Sequence, residues 1–241
     1  MKKDDSKPTI AISACLLGDP VRYNGGHSED KWITRQLSKY VNFKSFCPEV
    51  SMGLGTPREE IQLYYKNDNR KKTYLRSKID KVDLTEKAEV SYSEIEKDLK
   101  ENPIDGFVMM RKSPSCGQYN VKTVSEDDSG PVLRNQGLFA SHLEKCFPDG
   151  PFIDSGKLKN FILREQFIKN VFAHHRLLNI ERKISELQKF HLQYKYIIME
   201  HSHENVSALG QLAANSHKEG FEKIFMTYKS LFLKTLSIMP T

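Results

Sequence analysis

PTIAISAC, residues 8–15, is a short run of β-branched and small apolar residues that ends on a cysteine. It gives way to a loop from Gly18 to His27 that is rich in glycine and turn formers. Such a run, closed by turn residues, reads as a strand. Two further runs repeat the pattern. Phe43 to Phe46 stops at Cys47, and IDGFVMM, Ile104 to Met110, is followed by the loop Arg111 to Tyr119 that carries Cys116. Ile61 to Tyr65 reads as one more short strand. Between the strands lie helical patterns. The first runs from Glu29 to Tyr40, with Ser28 as N-cap and acids behind it, and the second from Leu84 to Glu101, with Asp83 or Thr85 at its start. Strands separated by helices predict an α/β domain with a parallel sheet and helices packed on both faces. In such sheets ligands collect beyond the carboxyl ends of the strands. Cys15, Cys47 and Cys116 all fall at or just beyond such ends.

From Gln136 onward the pattern is helical: Gln136 to Phe147, a connector from Pro148 to Ser155, then Gly156 to Leu178, Glu181 to Glu200, Asn205 to Ser216 and Phe221 to Ser237. The C-terminal segment is therefore expected to be all-α. Charge divides along the same line. Residues 1–156 hold 24 Lys+Arg and 24 Asp+Glu, whereas residues 157–241 hold 13 against 7 and six of the eight histidines. The whole net charge of +6 sits in the last third. A polyanion is drawn to such a segment, and a phosphate backbone is the commonest one, although a basic solvated helix face gives the same count. Met1 to Lys7 is polar and charged, unlike a secretory signal, and no apolar run is long enough to cross a bilayer. A cytoplasmic protein without a membrane partner is the expectation. In a reducing compartment the four cysteines read as thiols, metal ligands or catalytic groups before disulfides.

No C-x-x-C pair is present, which leaves a zinc ribbon or thioredoxin-like site unsupported. The long spacing of Cys15, Cys47 and Cys116 suits a site assembled from several strand ends. An iron–sulfur cluster tolerates that, because each thiolate reaches only one iron. Three protein ligands on a four-iron cluster leave one iron open to act as a Lewis acid. Spacing alone also admits three small buried apolar residues.

The segments ISACLLGDPVRYNGG, FCPEVSMGLGTPREEIQL and RKSPSCGQY, taken in order, closely resemble the signature segments of the thiouracil desulfidase (TudS) family. The segments LREQFIKNVFAHHRL and LQKFHLQYKYIIMEHSHENVSALGQLAAN resemble a YbgA-like helical domain fused behind it, as in the tRNA 4-thiouridine desulfidases. The resemblance implies a Rossmann-like desulfidase domain over residues 1–155, a linking helix over 156–180 and a C-terminally shortened YbgA-like domain over 181–241. It implies a [4Fe–4S] cluster on Cys15, Cys47 and Cys116, and non-redox removal of sulfur from a thiolated pyrimidine. The substrate would be 4-thiouridine in tRNA held by the basic C-terminal helices, or free thiouracil or thiouridine. Glu49, two residues past Cys47, is then the expected general base and later acid, and Ser113 the group that hydrogen-bonds the base or the developing anion.

Arg22, Tyr23 and Asn24 in the first loop, Arg58 in the Gly-Thr-Pro-Arg turn and Lys112 are candidates to contact base, ribose or phosphate, with Tyr23 as a stacking platform. Each is also readable as a loop residue or ion-pair partner. Cys146 lies outside the three motifs and reads as a structural or free thiol. His174, His175, His191, His201 and His203 lack a ligand spacing and read as helix-face polarity. The competing account is a nucleic-acid-binding protein with a structural metal or cluster and no desulfidase activity. No Walker A, Gly-x-Ser-x-Gly or His-Glu-x-x-His motif is present.

Overall fold

The computed structural model describes residues 6–214 and 220–238. The chain divides into two compact units, Met1–Pro148 with Phe152–Phe161, and Asp149–Pro151 with Ile162–Thr241. The first contains, in order, β1 (Thr9–Ser13), α1 (Lys31–Arg35), β2 (Asn42–Phe46), α2 (Pro48–Ser51), β3 (Ile61–Lys66), β4 (Asn69–Ser77), α3 (Thr85–Lys100), β5 (Gly106–Met109), β6 (Val121–Ser125), β7 (Leu133–Asn135), α4 (Leu138–Cys146) and β8 (Phe152–Asp154).

The expected parallel sheet is there, in the order β2-β1-β5-β8, with every neighbouring pair parallel. The chain steps from β1 to β2 on one side and reaches β5 on the other. The strand order therefore reverses at β1, and the crevice of an open parallel sheet forms beyond the carboxyl ends at such a reversal. Its buried strands carry apolar side chains in both directions. Ala11, Phe107 and Met109 join a core with Tyr92, Leu99, Phe139 and Leu143 from α3 and α4, while Ile10, Ile12 and Val108 alternate with them and are equally buried.

A second four-stranded sheet was not legible in the sequence. It runs β4-β3-β6-β7, with β3 and β6 parallel and the outer pairs antiparallel. Only β3 showed an apolar run. β4 begins with Asn-Arg-Lys-Lys, exposed at the hairpin end, and turns inward only at Leu75 to Ser77. The inner faces of this sheet, Leu63, Leu75 and Val121, complete the same core as α3 and α4.

Several expected boundaries move for local reasons. Helix α1 is capped by Asp30, whose side chain accepts from the Trp32 and Ile33 amides at 3.0 and 3.3 Å, rather than by Ser28. It gives way at Gln36 to a 3-10 turn, Leu37–Lys39. The connector before the helical segment holds β8. There Asp154 accepts from the Gly156 and Lys157 amides at 2.7 and 2.9 Å, and a 3-10 turn, Lys157–Lys159, precedes the next helix instead of one helix running from Gly156.

The second unit contains α5 (Phe161–Leu178), α6 (Ile184–His201), α7 (His203–Ala214) and α8 (Phe221–Ser237). The last matches the expected span, and the end of the expected Asn205–Ser216 helix lies outside the described residues. The core includes Leu177, Phe190, Ile198, Leu209, Tyr228 and Phe232. His191 and His201 are buried, the former 3.1 Å from the Tyr228 hydroxyl and the latter on the Ile238 carbonyl. Burial, with Lys195 nearby, holds His191 below the ordinary histidine range. No described helix is long and apolar enough to cross a membrane.

Phe139 joins the supports of the first unit. Fully buried, it meets the Phe46 ring edge-on at 5.2 Å and the Tyr92 ring at 5.0 Å, touching β2 and α3 at once. Truncation removes contacts to both and leaves a cavity. Phe139→Ala is expected to lower unfolding stability by about 3–5 kcal/mol, read as a reduced urea midpoint at unchanged m-value.

Candidate active site and metal centre

Cys15, Cys47 and Cys116 line one cavity of about 510 Å³ beyond the carboxyl ends of β1, β2 and β5. Each is fixed by a different local device. Cys15 lies in a 3-10 turn, Ala14–Leu17, that Gly18 closes with a φ of 102°, and its carbonyl accepts from the Ser28 amide at 2.9 Å. Cys47 precedes α2, whose first residue is Pro48; there the missing N–H leaves no helix bond unmade. Cys116 sits in the tight turn Ser113 to Gly117, closed by the Gly117 amide on the Ser113 carbonyl at 2.8 Å. Gly137 backs this turn so closely that a Cβ there would stand 2.5 Å from the Ser115 carbonyl oxygen.

All four cysteines are free thiols, and the three in the cavity resist ionisation. Burial, then the Cys47 charge, pushes Cys15 up to about 11, with Arg22 opposing. Burial likewise raises Cys47 and Cys116, with Cys47 adding to the effect on the latter. Three thiols, two buried and one half-buried, that each disfavour the thiolate are matched by a positively charged group that takes their protons' place. On donor chemistry, three cysteine thiols converging beyond three strand ends, these residues fit an iron–sulfur cluster.

Glu49 and Ser113 meet in the cavity. The Ser113 hydroxyl donates to Glu49 Oε1 at 3.2 Å and accepts from the Ser115 and Cys116 amides at 3.2 and 3.1 Å. One side chain thus shapes the Cys116 turn and holds the carboxylate. Arg58 takes Glu49 Oε2, and also donates to the Val21 and Gly55 carbonyls, each at 2.9 Å. The pair is buried, with 4 % of the Arg58 side chain and 14 % of that of Glu49 exposed.

Arg22, Tyr23 and Lys112 also line the cavity, with the Arg22 guanidinium 5.9 Å from the Tyr23 ring centroid and donating to Ser28. Asn24 does not. Its side chain turns back to accept from the Gly26 amide at 3.1 Å, as Asx residues do in turns. The second sheet brings in residues that the sequence reading missed: Lys78 at the end of β4, paired with Glu60 at 2.7 Å, and Lys122 on β6. Arg111 joins them from the Cys116 loop. Six cations line the cavity against two carboxylates, and Arg111, Lys112 and Lys122 pair with no carboxylate among the described residues. No sequence signal marks Lys78 or Lys122, since neither lies near a cysteine motif.

A family model described as 2-thiouracil desulfurase matches residues 10–154, and one described as a protein of unknown function (DUF1722) matches residues 195–241. A solved structure titled as the [4Fe-4S]-dependent thiouracil desulfidase TudS is 23 % identical, over 66 % of this chain and 98 % of that one, with a TM-score of 0.49. No curated protein matches the chain.

The two ion pairs of the cavity differ in burial, and their contributions differ accordingly. Arg58→Met strands the buried Glu49 charge and is expected to cost about 3 kcal/mol or more. Lys78→Met removes an exposed, solvent-screened pair and is expected to leave the urea midpoint nearly unchanged. Urea unfolding of both variants against the parent measures the difference.

Proposed function

The chain belongs to the 2-thiouracil desulfurase family, and from that premise we propose that it replaces the sulfur of a thiolated pyrimidine by oxygen. The observation that carries the reading is the convergence of three strand-end cysteines, Glu49 and Ser113 on one cation-lined cavity. Cys15, Cys47 and Cys116 would hold a [4Fe–4S] cluster. The chemistry such a cluster supplies is Lewis acidity toward a thiocarbonyl sulfur, at an iron that three protein ligands leave open.

The remaining work falls to this chain's side chains. Glu49, held in place by Arg58, takes a proton from the water that adds to the ring carbon. The same carboxyl returns a proton as the carbon–sulfur bond breaks. In sum C=S and water become C=O and hydrogen sulfide, with no net electron transfer. Ser113 orients the carboxylate through its 3.2 Å bond, and Arg58 fixes the other oxygen. Arg22 and Tyr23 offer a guanidinium and a ring face to the pyrimidine.

The substrate we favour carries phosphate. Arg111, Lys112 and Lys122 stand at the cavity without carboxylate partners among the described residues, and the chain's net positive charge lies in residues 157–241. Both features support 4-thiouridine within tRNA over a free base, which has no phosphate for them to neutralise. The basic helical segment, part of which matches the DUF1722 model, would then hold the RNA.

Anaerobic reconstitution followed by a sulfide-release assay on 4-thiouracil, 4-thiouridine monophosphate and thiolated tRNA tests the reading. Broad visible absorbance with sulfide release, both lost in Cys47→Ala, is expected. Glu49→Gln is expected to keep the spectrum and lower kcat by about 10²–10⁴-fold, the span of general acid–base catalysis. A colourless folded protein that binds RNA and releases no sulfide would overturn the proposal in favour of a binding module.

Removing Lys122 separates the substrates. Lys122→Ala is expected to raise KM for thiolated tRNA, to flatten its salt dependence by about one unit of log–log slope, and to leave the free base unaffected. Equal effects on all substrates would refute a phosphate contact.

A further inference from the structure

Glu96 of α3 and His142 and Cys146 of α4 lie outside the cysteine cavity, and the function proposed above uses none of them. A carboxylate oxygen, an imidazole nitrogen and a sulfur from these residues all lie within 4.8 Å of one another. His142 Nε2 is 2.8 Å from Glu96 Oε2, and Cys146 Sγ is 3.8 Å from His142 Nε2. His142 and Cys146 are spaced i, i+4 and so share one face of α4, directed at α3. Tetrahedral zinc, with bonds of about 2.0–2.3 Å to O, N and S, places its donors roughly 3.3–3.6 Å apart. The observed separations of 2.8 and 3.8 Å fall on either side of that range, and small side-chain rotations convert one into the other. Each residue is half-buried, which leaves a path for an ion and for a water in the fourth position.

We propose that Glu96, His142 and Cys146 form a second metal site, separate from the cysteine cavity, for one thiophilic divalent cation of the zinc class. The donor set is thiolate, neutral imidazole and carboxylate, whose two negative charges balance the dication. In the absence of metal a hydrogen bond between His142 and Glu96 occupies the same atoms and keeps them in place. The Lys100 ammonium bonds the other Glu96 oxygen, Oε1, leaving Oε2 for the ion, and its side chain is exposed enough to swing toward solvent.

The site's position gives it a structural consequence. α3 supports the start of α2, next to Cys47, through Ser91 Oγ on the Pro48 carbonyl at 3.4 Å. α4 supports the Cys116 turn, since the Leu138 and Ala140 amides donate to the Pro114 and Ser115 carbonyls at 3.1 and 3.0 Å. A cation that bridges the two helices clamps together the supports of two cavity cysteines.

The test uses the full-length, cluster-loaded protein equilibrated with zinc chloride. It reads metal content after desalting, zinc affinity by competition with a chromophoric chelator, and thermal unfolding. One zinc per chain beyond the iron is expected, with a rise in Tm of about 3–6 °C at saturating zinc. Cys146→Ser and His142→Ala are expected to weaken zinc binding by about 100-fold or more and to abolish the Tm shift, at unchanged iron content and visible spectrum. Should either variant fold poorly, Glu96→Gln, which alters a partly exposed carboxylate, makes the same comparison. Absence of stoichiometric zinc in the parent protein, or equal zinc binding in the variants, would overturn the proposal, and neither result depends on sulfide release.

Discussion

Ser13 stands beside Phe46, and Ile12 beside Val108, in parallel ladders that run out together at the carboxyl edge of the first sheet. Everything at the site hangs on that register. A slip of one residue would turn every side chain of β1 to the other face, exchanging Ala11 with Ile10 and Ile12 in the core around Phe139 and Tyr92. With the register held, Cys15 two residues beyond Ser13 and Cys47 one beyond Phe46 emerge side by side. Ser13 adds a lock of its own, accepting from the Met110 amide at 2.9 Å and fixing where the chain leaves β5 toward Cys116. The placement of the three cysteines is thus set by backbone pairing.

The second sheet converts a crevice into a cavity. Three cysteines at the rim of an open sheet would face solvent on one side. β3 and β6 supply Ile61, Gln62, Val121 and Lys122 as a facing wall. Glu49 and Arg58 belong to the segment that joins the two sheets, and the buried ion pair between them ties that segment to Val21 in the first loop. Such a pair contributes little net stability once desolvation is counted, but leaving either partner alone is costly. Its effect here is to fix one carboxylate oxygen while Ser113 fixes the other, so that the carboxylate cannot rotate away from the cavity.

The legible and illegible parts of this fold follow from where the information lies. β1, β2 and β5 are buried on both faces and therefore read as plain apolar runs, each ending where a cysteine motif begins. α3 and α8 read correctly because a long periodic pattern survives errors at its ends. β7 and β8 are three residues each, too short to carry any period, and β4 is polar over its outer half. Missing them hid the second sheet, and with it Lys78 and Lys122. Arg22, Tyr23, Glu49, Arg58, Lys112 and Ser113 were legible because they lie in sequence beside the cysteines; Asn24 lies there too, yet its amide serves its own turn. Chain proximity thus selects the right loops without saying which way each side chain turns.

α3 and α4 show how one helix pair can answer to both ends of its length. Tyr92 and Phe139, near one end, pack on each other and on Phe46, behind Cys47 and Cys116. One turn further along α3 and one turn along α4, Glu96 and His142 meet, and the His142 ring lies 6.0 Å from that of Tyr92. Anything that alters the separation of the helices at the Glu96 end acts on the packing around Tyr92. Interiors packed to crystalline density transmit such displacements instead of absorbing them. The polar contacts between α3 and α4 therefore bear on how firmly the cysteine turns are held.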